Sequence, residues 1–204
     1  MTNLEEAMDQ ATEVNLLVAK LAAYEAAMSR AGADRKAAFS ELISLGQRRY
    51  LFFSRGAVPV LDGKHFFAAV YQELTGEMVN LKDWGDHRGY TLLMGIGNEL
   101  KQCLDEAKAR DFNSCFSPED LGSNRMGYLF ARRVIKARER GVSANTPQLL
   151  KGFLEERGPV SIARVHAVKG PGILHTAFEL GKVPVEFHRR VVETLWSLIV
   201  PFSR

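Results

Sequence analysis

Cysteine is scarce in this chain of 204 residues, which contains only Cys103 and Cys115. Their spacing matches no metal-ligand pattern, so a cysteine-based metal site is excluded. One cysteine falls in a predicted helix and the other in the loop that follows. A disulfide and two buried free thiols are both compatible with that placement. With 46% apolar residues, the chain can bury a core without metals or disulfides.

Long hydrophobic runs are also missing. The clearest apolar run, residues 195–200, is far shorter than the roughly 18 residues that a membrane span needs. Glu5, Glu6 and Asp9 stand where a secretory signal would carry positive charge before an apolar segment. We therefore expect neither a membrane span nor a signal peptide. The protein would be cytoplasmic when made, and any export would use a signal-independent secretion machine.

Several catalytic motifs are absent. The chain has no glycine-rich phosphate loop, GxSxG elbow, HExxH or CxxC motif, and each absence removes a large class of enzymes. His175 and Glu179 are spaced for zinc binding on one helix face, but histidines beside apolar residues are more often core or surface residues. The sequence therefore predicts no metal and no cofactor.

Apolar residues recur at steps of three and four over most of the chain, which predicts helices. The first is expected over about the first thirty residues, and a second, capped by Asp34, runs into the apolar residues 50–53. Residues 58–60 are expected to be extended because of Pro59. Residues 160–168 fit either a short strand or a helical turn capped by Ser161. We predict an all-α fold, with about seven or eight helices in one compact domain spanning residues 1–204.

Further helix boundaries follow from capping residues. Asp62 and Gly63 predict the start of a helix over residues 64–75, and Ser117 with Pro118 predicts another that ends at Gly141. Thr146 and Pro147 start a helix that Gly158 terminates. Two more helices are expected over residues 90–110 and 184–200.

The first candidate site lies around Asp62 and His65. If His65 points toward a neighbouring acidic loop, a histidine and several carboxylates, Glu73 among them, would share one cleft and suit acid–base chemistry. The alternative is structural: Asp62 caps its helix and His65 is a hydrogen-bonded core histidine.

The acidic loop itself, residues 80–89, is the second candidate. Asp83 and Asp86 flank Trp84, and a carboxylate pair beside an aromatic ring is what hydrolysis of a sugar polymer needs. The same carboxylates with His87 would also suit a divalent metal. Turn formation alone explains many Asp and Gly residues in loops.

The third candidate is the helix that follows Pro118. Asp120, Ser123, Asn124 and Gly127 lie at three- and four-residue steps, so this face could line a pocket. Capping accounts for the residues up to Asp120 but not for Asn124.

Positive charge is concentrated in the second half, since residues 1–100 carry net −3 and residues 101–204 carry net +6. One helix contributes a basic stripe formed by Arg125, Arg132, Arg133, Lys136 and Arg140. Such a stripe is usually a solvated helix face, and the missing motifs and interleaved aromatic residues argue against nucleic acid as the partner.

Three segments together resemble a known group of proteins: residues 61–69 (LDGKHFFAA), 84–86 (WGD) and 117–124 (SPEDLGSN). They are similar to uncharacterised domains that accompany bacterial secreted effectors and cell-wall-active proteins. The resemblance covers residues 58–130. It implies a toxin-like or peptidoglycan-directed role and makes Asp62, His65, Asp86, Asp120 and Asn124 candidates.

The leading hypothesis is a hydrolase acting on a bacterial polysaccharide, most plausibly peptidoglycan. Asp86 or Glu73 would be the general acid, Asp83 or Asp62 the partner carboxylate, and His65 would orient one of them. The residues expected to contact the substrate are Trp84, Asp120, Asn124 and Arg125. The rival hypothesis is a non-catalytic helical module of the effector, adaptor or immunity type, whose partner is another protein.

Overall fold

A computed structural model describes residues 4–55, 58–77, 118–141 and 145–167, and most of these residues are helical. The all-α class predicted from the sequence is confirmed. In chain order the described elements are α1 (Leu4–Asp9), α2 (Val14–Met28), α3 (Arg35–Ile43), β1 (Tyr50–Phe52), β2 (Val60–Asp62), α4 (Gly63–Thr75), α5 (Pro118–Glu139), α6 (Thr146–Glu155) and α7 (Ile162–Ala167).

A two-stranded antiparallel sheet interrupts the helices. β1 pairs with β2, and Tyr50 lies opposite Asp62. The second helix does not run into residues 50–53 but ends at Ile43, and residues 50–52 form a strand. Every residue of both strands is buried. The sequence of β1 is therefore continuously apolar and does not alternate between apolar and polar residues. The extended backbone expected around Pro59 leads directly into β2.

The N-terminal segment forms two helices rather than the single one predicted. The break falls where the backbone pairs with the edge of β1: Thr12 N–H donates to the Tyr50 carbonyl over 2.7 Å. The Gln10 carbonyl accepts from the N–H groups of Arg49 and Tyr50, at 2.8 and 3.0 Å. These long-range hydrogen bonds replace those of a continuous helix.

Most predicted boundaries of the other described helices agree with the structure. The Asp34 side chain caps α3 by accepting two backbone N–H bonds, and the Asp62 side chain caps α4. Gly141 and Gly158, which follow α5 and α6, both have positive φ. Within the ambiguous segment 160–168, residues Ile162–Ala167 form α7, and Pro159 makes an isolated bridge to Phe53.

Helices α4 and α5 form the centre of the core and run side by side in the same direction. His65 faces Asp120 near their N-terminal ends, Ala69 meets Gly127, and Glu73, about two turns after His65, faces Arg132. The aromatic rings of Phe66, Phe130 and Phe153 fill the interior, with centroids 5.4 to 6.5 Å apart. Each end of the helix pair therefore holds a different charged contact.

Several predicted features lie outside the described residues. These are the acidic loop 80–89, the helices expected over 90–110 and 184–200, both cysteines, and His175 with Glu179. Within the described ranges, no helix combines the length and apolar character needed to cross a membrane.

Candidate functional site

Asp62 occupies a buried position where three elements meet. It is the last residue of β2, and its side chain has no exposed surface. Its Oδ1 accepts a hydrogen bond from the Lys64 backbone N–H over 2.9 Å, which caps α4. Its own backbone N–H donates to Ser123 Oγ of α5 over 2.7 Å. Asp62 thus ties β2, α4 and α5 together.

The charge of Asp62 is matched by Arg49, the residue immediately before β1. Arg49 Nε donates to Oδ1 of Asp62 over 2.8 Å, and Arg49 Nη2 donates to Oδ2. Such a two-pronged contact is the strongest common form of an ion pair between side chains. Burial lowers the pKa of Arg49, but the hydrogen bond and the charge of Asp62 outweigh it and leave that pKa raised. Arg49 therefore keeps its positive charge beside Asp62.

His65 and Asp120 lie beside this ion pair and are less deeply buried. His65 Nε2 is 3.5 Å from Asp120 Oδ1, and the side chains are 22% and 11% exposed. His65 stands one turn after the Asp62 cap and Asp120 is in the first turn of α5, so the parallel packing of the two helices brings them together. Solvent can reach the imidazole, whereas it does not reach Asp62.

The surroundings of His65 favour its neutral form, mainly through burial. Burial lowers the pKa of His65 below its ordinary value of 6.5; Asp62 opposes this shift, while Arg49 and Lys64 add to it. A neutral imidazole beside a carboxylate can accept a proton, which is the requirement for a general base.

Asp62, His65 and Asp120 each offer one possible metal-ligand atom, and these atoms lie within 4.8 Å of one another. Both oxygens of Asp62 already accept hydrogen bonds from Arg49. A cation would have to displace this guanidinium or bind next to its positive charge. The donor set therefore fits a divalent metal poorly, and it fits proton transfer better.

Glu73 does not join the cluster. Its side chain has no exposed surface, and Oε1 lies 3.6 Å from Arg132 Nη1. Glu73 is eleven positions after Asp62 in the sequence, which corresponds to about 16 Å along the axis of α4. Carboxyl pairs in glycosidases are at most about 9.5 Å apart. The geometry therefore does not support Glu73 as the acid partner of Asp62.

The small-residue face of α5 packs rather than lining an open pocket. Ser123 is fully buried against Asp62, and Gly127 lies against α4. Asn124 is half-buried and Arg125 is exposed. Of the proposed substrate-binding residues, Asp120 lies in the cluster, while Trp84 falls outside the described residues. The proposed catalytic carboxylates Asp83 and Asp86 also fall outside them.

Sequence reasoning missed Arg49. A buried aspartate requires a positive or hydrogen-bonding partner. The sequence does contain a signal, which is an arginine immediately before the apolar run 50–53. If that run forms a strand, the Arg49 side chain lies close to the strand that pairs with it. Finding it required knowing that β1 pairs with β2.

In a comparison with known proteins, no protein-family model, curated protein or solved structure matches this chain.

Proposed function

We propose that this protein is a hydrolase in which His65 is the general base. Neutral His65 accepts a proton from an attacking water, and Asp120 positions the imidazole and stabilises its charged form. Asp86 keeps the role of general acid that the sequence predicts and protonates the leaving oxygen. The observation that carries the proposal is the partly exposed imidazole held 3.5 Å from a carboxylate.

The buried Arg49–Asp62 pair supports this assignment by fixing the surroundings of His65. Asp62 caps the helix that bears His65 and also binds α5, which bears Asp120. Rigid support of this kind keeps a catalytic pair in a constant geometry. Asp62 itself is a positioning residue in this proposal, because its side chain has no exposed surface.

The proposed substrate is a bacterial polysaccharide, with peptidoglycan as the first choice. This choice rests on the resemblance of residues 58–130 to cell-wall-active domains, and the cluster lies in that part of the chain. Peptidoglycan lies outside the cytoplasm, so the proposal includes export by a machine that reads no N-terminal signal. The basic second half of the chain would favour approach to an anionic cell wall.

The rival, a non-catalytic interaction module, would be favoured by scattered carboxylates and a large exposed apolar patch. In the described part of the chain, Leu129 is the only large apolar side chain that is exposed. Three titratable side chains meet in one cluster instead. These two observations favour the hydrolase.

The test is the loss of turbidity of purified peptidoglycan on addition of the protein. We expect clearing by the wild type, a reduction of about a hundredfold or more in His65→Gln, and no change when EDTA is added. His166→Gln is the matched control, because His166 is exposed on α7. Circular dichroism checks that each variant is folded.

The possible outcomes test the proposed substrate and the proposed catalytic residue separately. No clearing by the folded wild type would reject peptidoglycan as the substrate. If His65→Gln still clears peptidoglycan, His65 is not the general base, and the carboxylates of the loop that contains Asp86 become the catalytic candidates.

A further inference from the structure

An open groove lies on the molecule between α5, the end of α6 and the backbone before β2. Its volume is about 420 Å³, within the range of sites that bind small molecules or short peptide segments. It shares no residue with the Arg49–Asp62–His65–Asp120 cluster. The residues that line it include Arg55, Val58, Arg125, Leu129, Glu156 and Arg157.

The groove is positively charged. Three of its lining side chains are arginines: Arg55, Arg125 and Arg157. Among the described residues that line the groove, Glu156 is the only acidic one, and its two carboxylate oxygens accept hydrogen bonds of 2.9 and 3.1 Å from Arg133. Glu156 is therefore already neutralised by Arg133, and the three arginines leave an excess of positive charge.

Part of the lining of the groove is apolar. Leu129 is 44% exposed, and Met126 and Val58 also line the groove. A single exposed leucine needs no explanation on an ordinary surface. Here it lies in a concavity surrounded by guanidinium groups, which is an arrangement that accepts an apolar side chain and an anionic group at the same time.

The walls of the groove are held by backbone contacts. Arg55 N–H donates to the Arg157 carbonyl over 3.2 Å, and Ser54 N–H donates to that of Gly158 over 2.8 Å. The guanidinium of Arg157 lies 3.8 Å from the centre of the Phe153 ring and donates to the Phe153 carbonyl. A groove already shaped before binding loses little entropy when a ligand arrives.

We propose that this groove binds an acidic peptide segment of a partner protein, in which an aliphatic or aromatic side chain is flanked by carboxylates. The apolar side chain packs on Leu129 and Met126, and the carboxylates pair with Arg55 and Arg125, whose planar forks match their geometry. The proposal is independent of the hydrolase activity.

The chemistry of the groove favours a peptide over other anions. Single-stranded nucleic acid binds on aromatic side chains that stack with bases, and none of the described residues that line the groove is aromatic. An inorganic anion would leave the apolar lining unused. A membrane surface is engaged by a protruding apolar face, whereas Leu129 lies within a concavity.

The first step of the test is to pan a phage-displayed random heptapeptide library against the purified protein. We expect the enriched sequences to contain acidic residues on both sides of a leucine, isoleucine or phenylalanine. The most enriched peptide is then synthesised with a fluorescein label, and its affinity is measured by fluorescence anisotropy.

We expect Arg125→Glu to lower the affinity for this peptide by at least about tenfold, because it places a negative charge against the carboxylates of the peptide. Leu129→Ser should also weaken it, while added salt should weaken binding to the wild type. Lys136→Glu is the matched control: it makes the same charge change at an exposed position of α5 outside the groove.

Three results would overturn the proposal. One is that no acidic sequence is enriched. Another is that Arg125→Glu and Lys136→Glu bind the peptide equally well. The third is that the protein selects no peptide but binds phosphatidylglycerol vesicles or oligothymidylate, with binding lost in Arg125→Glu; this would assign the groove to another class of partner.

Discussion

Arg49 and Asp62 meet at the end of the small sheet, where both carboxylate oxygens of the fully buried Asp62 accept hydrogen bonds from the Arg49 guanidinium. Because Asp62 also caps α4 and binds Ser123 of α5, this one ion pair connects the sheet to the two helices that carry His65 and Asp120. The integrity of the candidate site therefore depends on Arg49, which lies on neither of these two helices.

Arg49→Ala should lower the free energy of unfolding by about 2–4 kcal/mol, because it leaves a buried carboxylate without its charged partner. Arg49→Lys should have a smaller effect, since an ammonium keeps the charge but not the two-pronged contact. Urea unfolding followed by circular dichroism measures both.

The control for this prediction is Lys20→Ala. Lys20 Nζ is 2.8 Å from Glu41 Oε1, but the Glu41 side chain is 74% exposed. Removing this surface pair should cost much less, because solvent screens it. If Arg49→Ala were no more destabilising than Lys20→Ala, the Arg49–Asp62 pair would not connect the elements as described.

Gly127→Ala should destabilise the protein by about 1–3 kcal/mol, since added atoms in a packed core force the helices apart. A Cβ at this position would lie 2.4 Å from the Phe66 carbonyl oxygen and 2.8 Å from Ala69 Cβ. Gly152→Ala in α6 is the matched variant, because its Cβ would meet nothing within 4 Å. It should stabilise the protein by about 0.5–1 kcal/mol through helix propensity. Thermal unfolding of both variants checks the opposite signs.

The helical class and most boundaries of the described helices could be predicted because they depend on local chemistry. Asp34 and Asp62 cap helices through hydrogen bonds to backbone groups two or three residues away. The break between α1 and α2 could not be predicted in the same way. It follows from hydrogen bonds that join Gln10 and Thr12 to Tyr50, which is distant in sequence. The strand β1 was missed for a related reason, since both its faces are buried.

The candidate site was predicted in part. Asp62, His65 and Asp120 were all proposed from the sequence, and the structure places them within one cluster. Their partner Arg49 comes from a different element, so its role depends on strand pairing. Glu73 was grouped with His65 because they share a helix. Their actual neighbours, Arg132 and Asp120, lie on α5, and only the packing of two helices decides which residue faces which.

The stability of the protein should fall as the pH drops below about 6.5, in part because of His65. Burial lowers the pKa of His65 in the folded state from 6.5. Between the two pKa values the unfolded chain binds the proton more readily, so protonation favours unfolding. The contribution of His65 to stability is fully present above its pKa in the unfolded chain, and it is lost as the pH falls to its pKa in the folded protein. Urea unfolding over about pH 8 to 5 should show a flatter dependence in His65→Gln.

The same pKa direction fixes the pH profile of the proposed activity. A general base must be neutral, so the acidic limb of kcat/KM for peptidoglycan should lie below 6.5, the ordinary value for histidine. An acidic limb above 6.5 would contradict the assignment of His65 as the base.

Glu73→Gln distinguishes a structural carboxylate from a catalytic one. Glu73 is fully buried with Arg132 Nη1 3.6 Å away, about two turns of helix from the cluster. Losing its charge should weaken the contact between α4 and α5 and lower the free energy of unfolding by about 1–3 kcal/mol. Clearing of peptidoglycan by the folded variant should stay within about twofold of the wild type, in contrast to a loss of about a hundredfold in His65→Gln. Abolished clearing by folded Glu73→Gln, with His65→Gln still active, would reverse the assignment and make Glu73 the acid–base residue.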